Sequence, residues 1–203
     1  MNTVQWLLLA GIALGNNLDN AGAAVAYGLA RIRIPAIVNA WIALITFVIT
    51  AGAVMLGRLT GHFLPVYLGK DLSAVILCVI GALMIRGAMR PKPSTADKPS
   101  TNPIMGVLEN PEAADADKSR HIDLREGTLV GIALSINNVG GGISAGLVHL
   151  SATWTAALSA VISFCLFWAG SAFATRPASG RLAGYAPIVG GFVLIAVGLC
   201  QFR

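Results

Sequence analysis

The sequence predicts an all-α membrane protein whose six transmembrane helices form two inverted three-helix repeats. Three observations lead there. The 203-residue chain is 56% hydrophobic and 11% charged with a mean hydropathy of +0.74, whereas a soluble domain carries about a quarter charged residues. Six apolar runs, at 4–29, 36–56, 66–89, 127–149, 154–174 and 182–202, each approach the ~20 residues that cross ~30 Å of hydrocarbon. The second half of the chain also repeats features of the first.

The first run has no Lys or Arg before it and carries Asp19 where a secretory signal would be apolar, so it reads as a retained span. The second follows Arg31 and Arg33; the third is the least regular, with Lys70 and Asp71 near its start. Residues 90–114 begin Arg-Pro-Lys-Pro-Ser-Thr and read as a flexible linker. Asp123 and Glu126 make an Asp-x-x-Glu capping box ahead of the fourth span. The division is therefore 1–89 as repeat one, 90–124 as a linker and 125–203 as repeat two.

Eleven of the 14 Lys and Arg residues fall in the connections between spans one and two, three and four, and five and six. This places both termini outside and the 90–124 loop in the cytoplasm of a bacterial inner membrane. The net charge of +5 thus follows topology and does not suggest nucleic acid; the partner expected is the lipid bilayer. Trp6, Tyr27, Trp41, Tyr67, Trp154 and Tyr185 sit near span ends, as an aromatic belt requires. Cys78, Cys165 and Cys200 fall singly in different spans and read as small buried hydrophobes.

Setting Asp19 against Asn137 pairs Asn20 with Asn138, Gly22 with Gly140 and Gly28 with Gly146, and Ala43-Leu-Ile-Thr-Phe47 faces Ala160-Val-Ile-Ser-Phe164. A two-residue slip instead matches Gly11-Ile-Ala-Leu14 to Gly131-Ile-Ala-Leu134, so the register stays open. Three spans per copy is an odd number, which makes the second copy enter from the opposite side. Inverted repeats of this kind place a site near the midplane where equivalent helices meet.

Asp19 is the one acidic residue deep in an apolar run, and a carboxylate there costs roughly 2.5–3.5 kcal/mol on insertion scales. Asn16, Asn20, Asn137 and Asn138 add amide oxygens and Ser135 a hydroxyl. Such donors suit hard cations such as Mn²⁺, Mg²⁺ or Ca²⁺ rather than Zn²⁺. Helical spacing puts Asn16, Asp19 and Asn20 on one face and offsets Asn17. The plainer alternative is that these groups only hold helices together, at ~0.6 kcal/mol each.

A second pattern lies at 115–126. Asp115, Asp117, Ser119 and Asp123 supply oxygens at positions 1, 3, 5 and 9 of a twelve-residue calcium loop, His121 a backbone carbonyl at 7 and Glu126 the carboxylate at 12. Arg120 stands at position 6, where Gly normally makes the turn. This EF-hand-like loop is a candidate for Ca²⁺ or Mn²⁺; no tightly bound cofactor is otherwise expected.

The segment Asn17-Leu-Asp-Asn-Ala-Gly, the run Ala26-Tyr-Gly-Leu-Ala-Arg-Ile-Arg-Ile-Pro35, the Asp-x-Asp-x-Ser loop and Ala133-Leu-Ser-Ile-Asn-Asn138 resemble the YtaF-type sporulation membrane proteins. Through them the chain is similar to the MntP manganese efflux pumps among the LysE-like exporters. That resemblance implies a 3+3 transporter that exports a divalent cation, Mn²⁺ first. MntP pumps carry an Asp in span one and another in span four, positions that map onto Asp19 and Asn137; the first is kept and the second is not. No enzyme signature appears: His-Glu-x-x-His and the phosphate-binding Gly-x-x-x-x-Gly-Lys-Ser/Thr are absent. Two rivals stay open, an exporter of amino acids or other small polar solutes and a non-transporting envelope or sporulation scaffold. An oligomer is also open.

Overall fold

The structure, a computed structural model, describes residues 2–29, 32–89, 114–115, 119–173 and 179–201. Six helices run through them: α1 Thr3–Leu29, α2 Ala36–His62, α3 Val66–Met89, α4 Leu124–Leu147, α5 Ala152–Phe173 and α6 Ser179–Gln201. The bounds follow from local chemistry. α1 closes with the Ile32 N–H on the Tyr27 carbonyl at 2.9 Å. α2 continues past the expected residue 56 because Gly57 and Gly61 are buried against α4, and it ends three residues before Pro65.

α4 starts on the expected capping box, in which Asp123 Oδ1 accepts from the Glu126 N–H at 2.7 Å and Glu126 Oε2 accepts from the Asp123 N–H at 3.2 Å. Its far end is a Schellman turn: the Leu150 N–H reaches the Ala145 carbonyl and the His149 N–H the Gly146 carbonyl, both at 2.9 Å, with His149 at φ 56°. His149 thus holds the left-handed position usually given to glycine. Arg58 of α2 donates twice to the Leu150 carbonyl, at 3.1 and 2.7 Å, and pins that turn.

Among the described residues, Ala36–His62, Tyr67–Met89 and Ala152–Gly170 are long and apolar enough to cross a membrane. α4 makes a fourth span if Leu124–Ile136 and Asn138–Leu147, bent by 49° from one another, count as one. Leu44, Val48, Leu59, Val79, Val161 and Phe192 all face outward, an apolar exterior that only lipid accommodates. The chain is an all-α, multi-pass membrane protein.

α1 packs on α5 and α6, α2 on α4 and α5, α3 on α4 and α6, and α1 also meets α4. Apart from a slight contact of α4 with α5, this set of pairings is unchanged when α1, α2 and α3 are exchanged for α4, α5 and α6. Directions obey the same exchange. Arg33 and His121 form a parallel bridge just ahead of α2 and α4, and Trp6 of α1 lies edge-on to Trp154 of α5, 5.6 Å away.

Two apolar clusters fill the bundle. One joins Ala24 and Tyr27 of α1, Val38 and Ile42 of α2, Val130, Ala133 and Leu134 of α4 and Phe167 of α5. The other joins Leu9 and Ile12 of α1, Val54 of α2, Leu77 of α3, Ala145 of α4 and Leu194 of α6. Tyr27, expected in an interfacial belt, is 1% exposed and packs on Phe167; Trp6, Trp41, Tyr67, Trp154 and Tyr185 do face outward. Cys165 and Cys200 also lie on the outside, contrary to their reading as buried, and Cys78 is half-buried.

Close approach of α2 and α4 rests on Gly57 and Gly146. A side chain on Gly146 would strike the Val54 carbonyl, and one on Gly57 the Ile143 carbonyl. Gly146→Leu should therefore cost about 2–3 kcal/mol of stability by overpacking, read as a lower unfolding midpoint in detergent. Gly52→Ala meets nothing within 4 Å and should be neutral or stabilising by up to about 1 kcal/mol. Equal effects of the two changes would contradict this packing.

Candidate functional site

Between the two apolar clusters lies a layer of buried polar side chains. α1 contributes Asn16, Asn17 and Asn20, α2 Thr46 and Thr50, α4 Ser135 and Asn138, and α5 Ser159 and Ser163, none more than 1% exposed. In α1, α2 and α4 these residues fall between the members of one apolar cluster and those of the other, and in α5 they fall between Leu158, which packs against the second cluster, and Phe167 of the first. The layer is therefore closed at both ends by hydrocarbon.

Its hydrogen bonds join the two halves of the chain. Asn138 of α4 donates through Nδ2 to Asn17 Oδ1 of α1 at 3.3 Å, and Asn20 Nδ2 donates to the same oxygen at 3.1 Å. Asn20 Nδ2 also reaches Ser163 Oγ of α5 at 2.8 Å, while Thr46 Oγ1 of α2 lies 3.1 Å from Ser135 Oγ of α4. Each half thus sends a hydroxyl from its second helix to the first helix of the other half. Asn17 Nδ2 ties back to the Ala13 carbonyl at 2.7 Å, which fixes the side chain that bridges the halves.

α1 and α4 come together because glycine allows it. A Cβ at Gly141 would collide with the Asn16 amide, so the Asn16 side chain lies directly on the α4 backbone. The bend in α4 falls at Asn137, between Ser135 and the run Gly140-Gly141-Gly142; such small residues are common where helices kink.

Of the expected midplane residues, the structure brings together Asn16, Asn20, Ser135 and Asn138 in this layer. Asp19 and Asn137 lie in α1 and α4 by their backbones, and their side chains lie outside the described residues. Asn17, set aside as offset, is fully buried and the hub of the network. Thr46, Thr50, Ser159 and Ser163 were missed. Their signal was present: each second helix carries two hydroxyl residues four apart, one helical turn, and Thr46 and Ser163 are equivalent in the repeat.

Chemically the layer offers oxygens. Asn138 Oδ1, Thr50 Oγ1 and Ser159 Oγ are buried and make no hydrogen bond among the described residues. Buried polar atoms are otherwise nearly always paired. No three His, Cys, Asp or Glu side chains gather among the described residues, so amide and hydroxyl oxygens dominate the donor set, with the Asp19 carboxylate on the same stretch of α1.

Of the loop residues, Asp115 is 9% exposed and its Oδ2 accepts from the Arg120 N–H at 2.9 Å. Ser119 Oγ donates to the His121 carbonyl at 3.0 Å, and Asp123 and Glu126 cap α4. Asp117 and the expected linker up to residue 113 lie outside the described residues.

A family profile described as "Putative manganese efflux pump" matches residues 67–201, which span α3 to α6. The chain belongs to the MntP family. The "Probable sporulation protein YtaF" of Bacillus subtilis (strain 168) is 31% identical over 167 residues, covering 74% of this chain and 76% of that protein. No solved structure matches. The part matched to the MntP profile includes Ser135, Asn137 and Asn138, the α4 share of the polar layer.

Asn17→Leu removes the acceptor of both Asn20 and Asn138. It should lower the stability of the purified protein by about 1–2 kcal/mol, and Thr46→Val by about 0.6, in line with interhelical hydrogen bonds in membranes. Denaturant unfolding in detergent reads both, and an Asn17→Leu protein as stable as wild type would contradict the bridge.

Proposed function

We propose that this protein is a secondary exporter of a hard divalent cation, Mn²⁺ in the first place, with its transport site in the polar layer. The observation that carries this reading is the buried layer of oxygens to which both halves of an MntP-family chain contribute. On this reading α1 and α6, like α2, α3, α4 and α5, cross the bilayer, giving six spans in two inverted repeats with both termini outside. The exchange-symmetric helix pairing and the parallel approach of α2 to α4 and of α1 to α5 support it.

A divalent ion entering such a layer gives up water and must regain oxygen ligands. The Asp19 carboxylate supplies the charge, and Asn16, Asn20, Asn137, Asn138 and Ser135 supply neutral oxygens. Asn138 Oδ1, which has no hydrogen-bond partner among the described residues, is the donor best placed to turn to the ion without breaking another bond. The two apolar clusters serve as gates on either side, and rocking of one half against the other opens them in turn. The α4 bend at Asn137 marks where that helix gives. A single carboxylate where MntP pumps carry two lowers the charge of the site, which favours weaker binding and faster release.

A deletion strain grown over Mn²⁺, Mg²⁺, Ca²⁺ and Co²⁺ series tests this. Wild type should restore growth at high Mn²⁺, Asp19→Asn should not, and Asn137→Asp should restore it at least as well as wild type. Equal rescue by wild type and Asp19→Asn would refute the role of Asp19, and the absence of any metal phenotype would refute metal export.

A further inference from the structure

We infer that the groove at the C-terminal end of α2 binds an anionic phospholipid of the surrounding membrane, with its phosphate on Arg58 and His62 and an acyl chain along Met55 and Leu59. A groove of about 650 Å³ lies there, lined by Met55, Leu56, Arg58, Leu59 and His62. Met55, Leu56 and Leu59 are apolar and exposed, and the two basic side chains stand one helical turn apart on the same helix. The inference needs only that α2 crosses the bilayer; it is independent of what the protein transports.

Arg58 is oriented before any ligand arrives. Its Nε and Nη2 both donate to the Leu150 carbonyl, at 3.1 and 2.7 Å, which fixes one edge of the guanidinium. The other edge, Nη1 with the second Nη2 hydrogen, has no partner among the described residues, and that fork matches two phosphate oxygens. His62 is exposed, lies edge-on to Phe63 at 5.8 Å and makes no hydrogen bond among the described residues, so its ring N–H is open to the same phosphate. The carbonyl end of a helix repels an anion, but here the Phe63 and Leu64 N–H groups already occupy the Thr60 and Gly61 carbonyls, each at 3.2 Å.

The wider charge agrees. The turns after α2 and after α4 lie at one end of the bundle, since Gly61 and Gly69 both approach Leu147. Arg58, His62, Lys70 and His149 fall in or beside these turns against one acidic residue, Asp71, and α3, which carries Asp71, packs on α4 and α6 rather than on α2. Arg58 stands four residues before the end of α2, about 6 Å along the axis, where an arginine lays its stem on apolar surface and presents its head at the membrane interface. Below it Leu59, Met55 and Val48 are exposed at helical spacing, and Gly52 leaves an open notch among them. The eleven residues from Leu59 back to Val48 rise about 16 Å, close to half of a ~30 Å hydrocarbon core. One acyl chain of one leaflet therefore fits beneath one headgroup.

The test is native mass spectrometry of the full-length protein released from detergent micelles. It is titrated with dioleoyl phosphatidylglycerol and, separately, with dioleoyl phosphatidylcholine, which has the same chains and no net charge. Wild type should retain one phosphatidylglycerol with at least about tenfold preference over phosphatidylcholine. Arg58→Gln should weaken that binding at least about tenfold and His62→Ala about threefold, through loss of charge-assisted hydrogen bonds. Arg33→Gln, ahead of the opposite end of α2, should leave it unchanged. Glycerol phosphate, the headgroup without chains, should not displace the lipid; displacement would make this a site for free phosphate and overturn the lipid assignment. Arg58 also pins the turn at Leu150, so thermal melting checks each variant, and His62→Ala carries the test if Arg58→Gln does not fold. Equal retention of the two lipids, equal weakening by Arg33→Gln, or wild-type retention by every folded variant of Arg58 and His62 overturns the proposal.

Discussion

An amide inside an apolar bundle must find its partners in the protein, because no solvent is there to supply them. Asn17 meets that demand by accepting from Asn138 across the two halves of the chain and from Asn20 along its own helix. The geometry of α1 against α4 follows from this one shared oxygen. Glycine at 141 lets the helices come close enough for Asn16 to lie on the opposing backbone, and Gly57 with Gly146 does the same for α2 and α4. Above and below, Leu9, Ile12 and Val54 on one side and Val38, Ile42 and Phe167 on the other seal the polar groups in. Neither the amides nor the seals would hold their places without the other.

Much of the fold was legible in the sequence because each helix is bounded by strong local chemistry. Six apolar runs correspond to six helices, Asp123 and Glu126 form the expected box, and Pro65 follows the end of α2. What escaped has a common physical cause. Helical-wheel reasoning gives a helix one inward face, but α1 is enclosed by α4, α5 and α6, so Asn17 is as buried as Asn16 and Asn20. Thr and Ser in apolar helices satisfy themselves on the preceding turn, as Thr46 does on the Ile42 carbonyl at 3.1 Å, which leaves no sequence sign of whether they face lipid or a partner. Tyr27 was misplaced because a distant segment, Ala114 and Ile122, helps to bury the end of α1.

The candidate site was legible as a set of residue types and less so as an arrangement. Asn16, Asn20, Ser135 and Asn138 do share one layer, but the second helices complete it, and their hydroxyls are unremarkable singly. The loop is the reverse case. Its spacing was plain, and Arg120 counted against it, yet the backbone takes the left-handed turn and Asp115 closes it.

The most direct test of the central claim is Mn²⁺ flux into inside-out proteoliposomes carrying either the wild-type protein or Asn138→Leu, with equal folded protein confirmed by monodispersity and helix content. The shared-layer site predicts saturable Mn²⁺ uptake by wild type and a loss of at least about tenfold in the variant. No uptake by wild type, or uptake by Asn138→Leu at the wild-type rate, would contradict it.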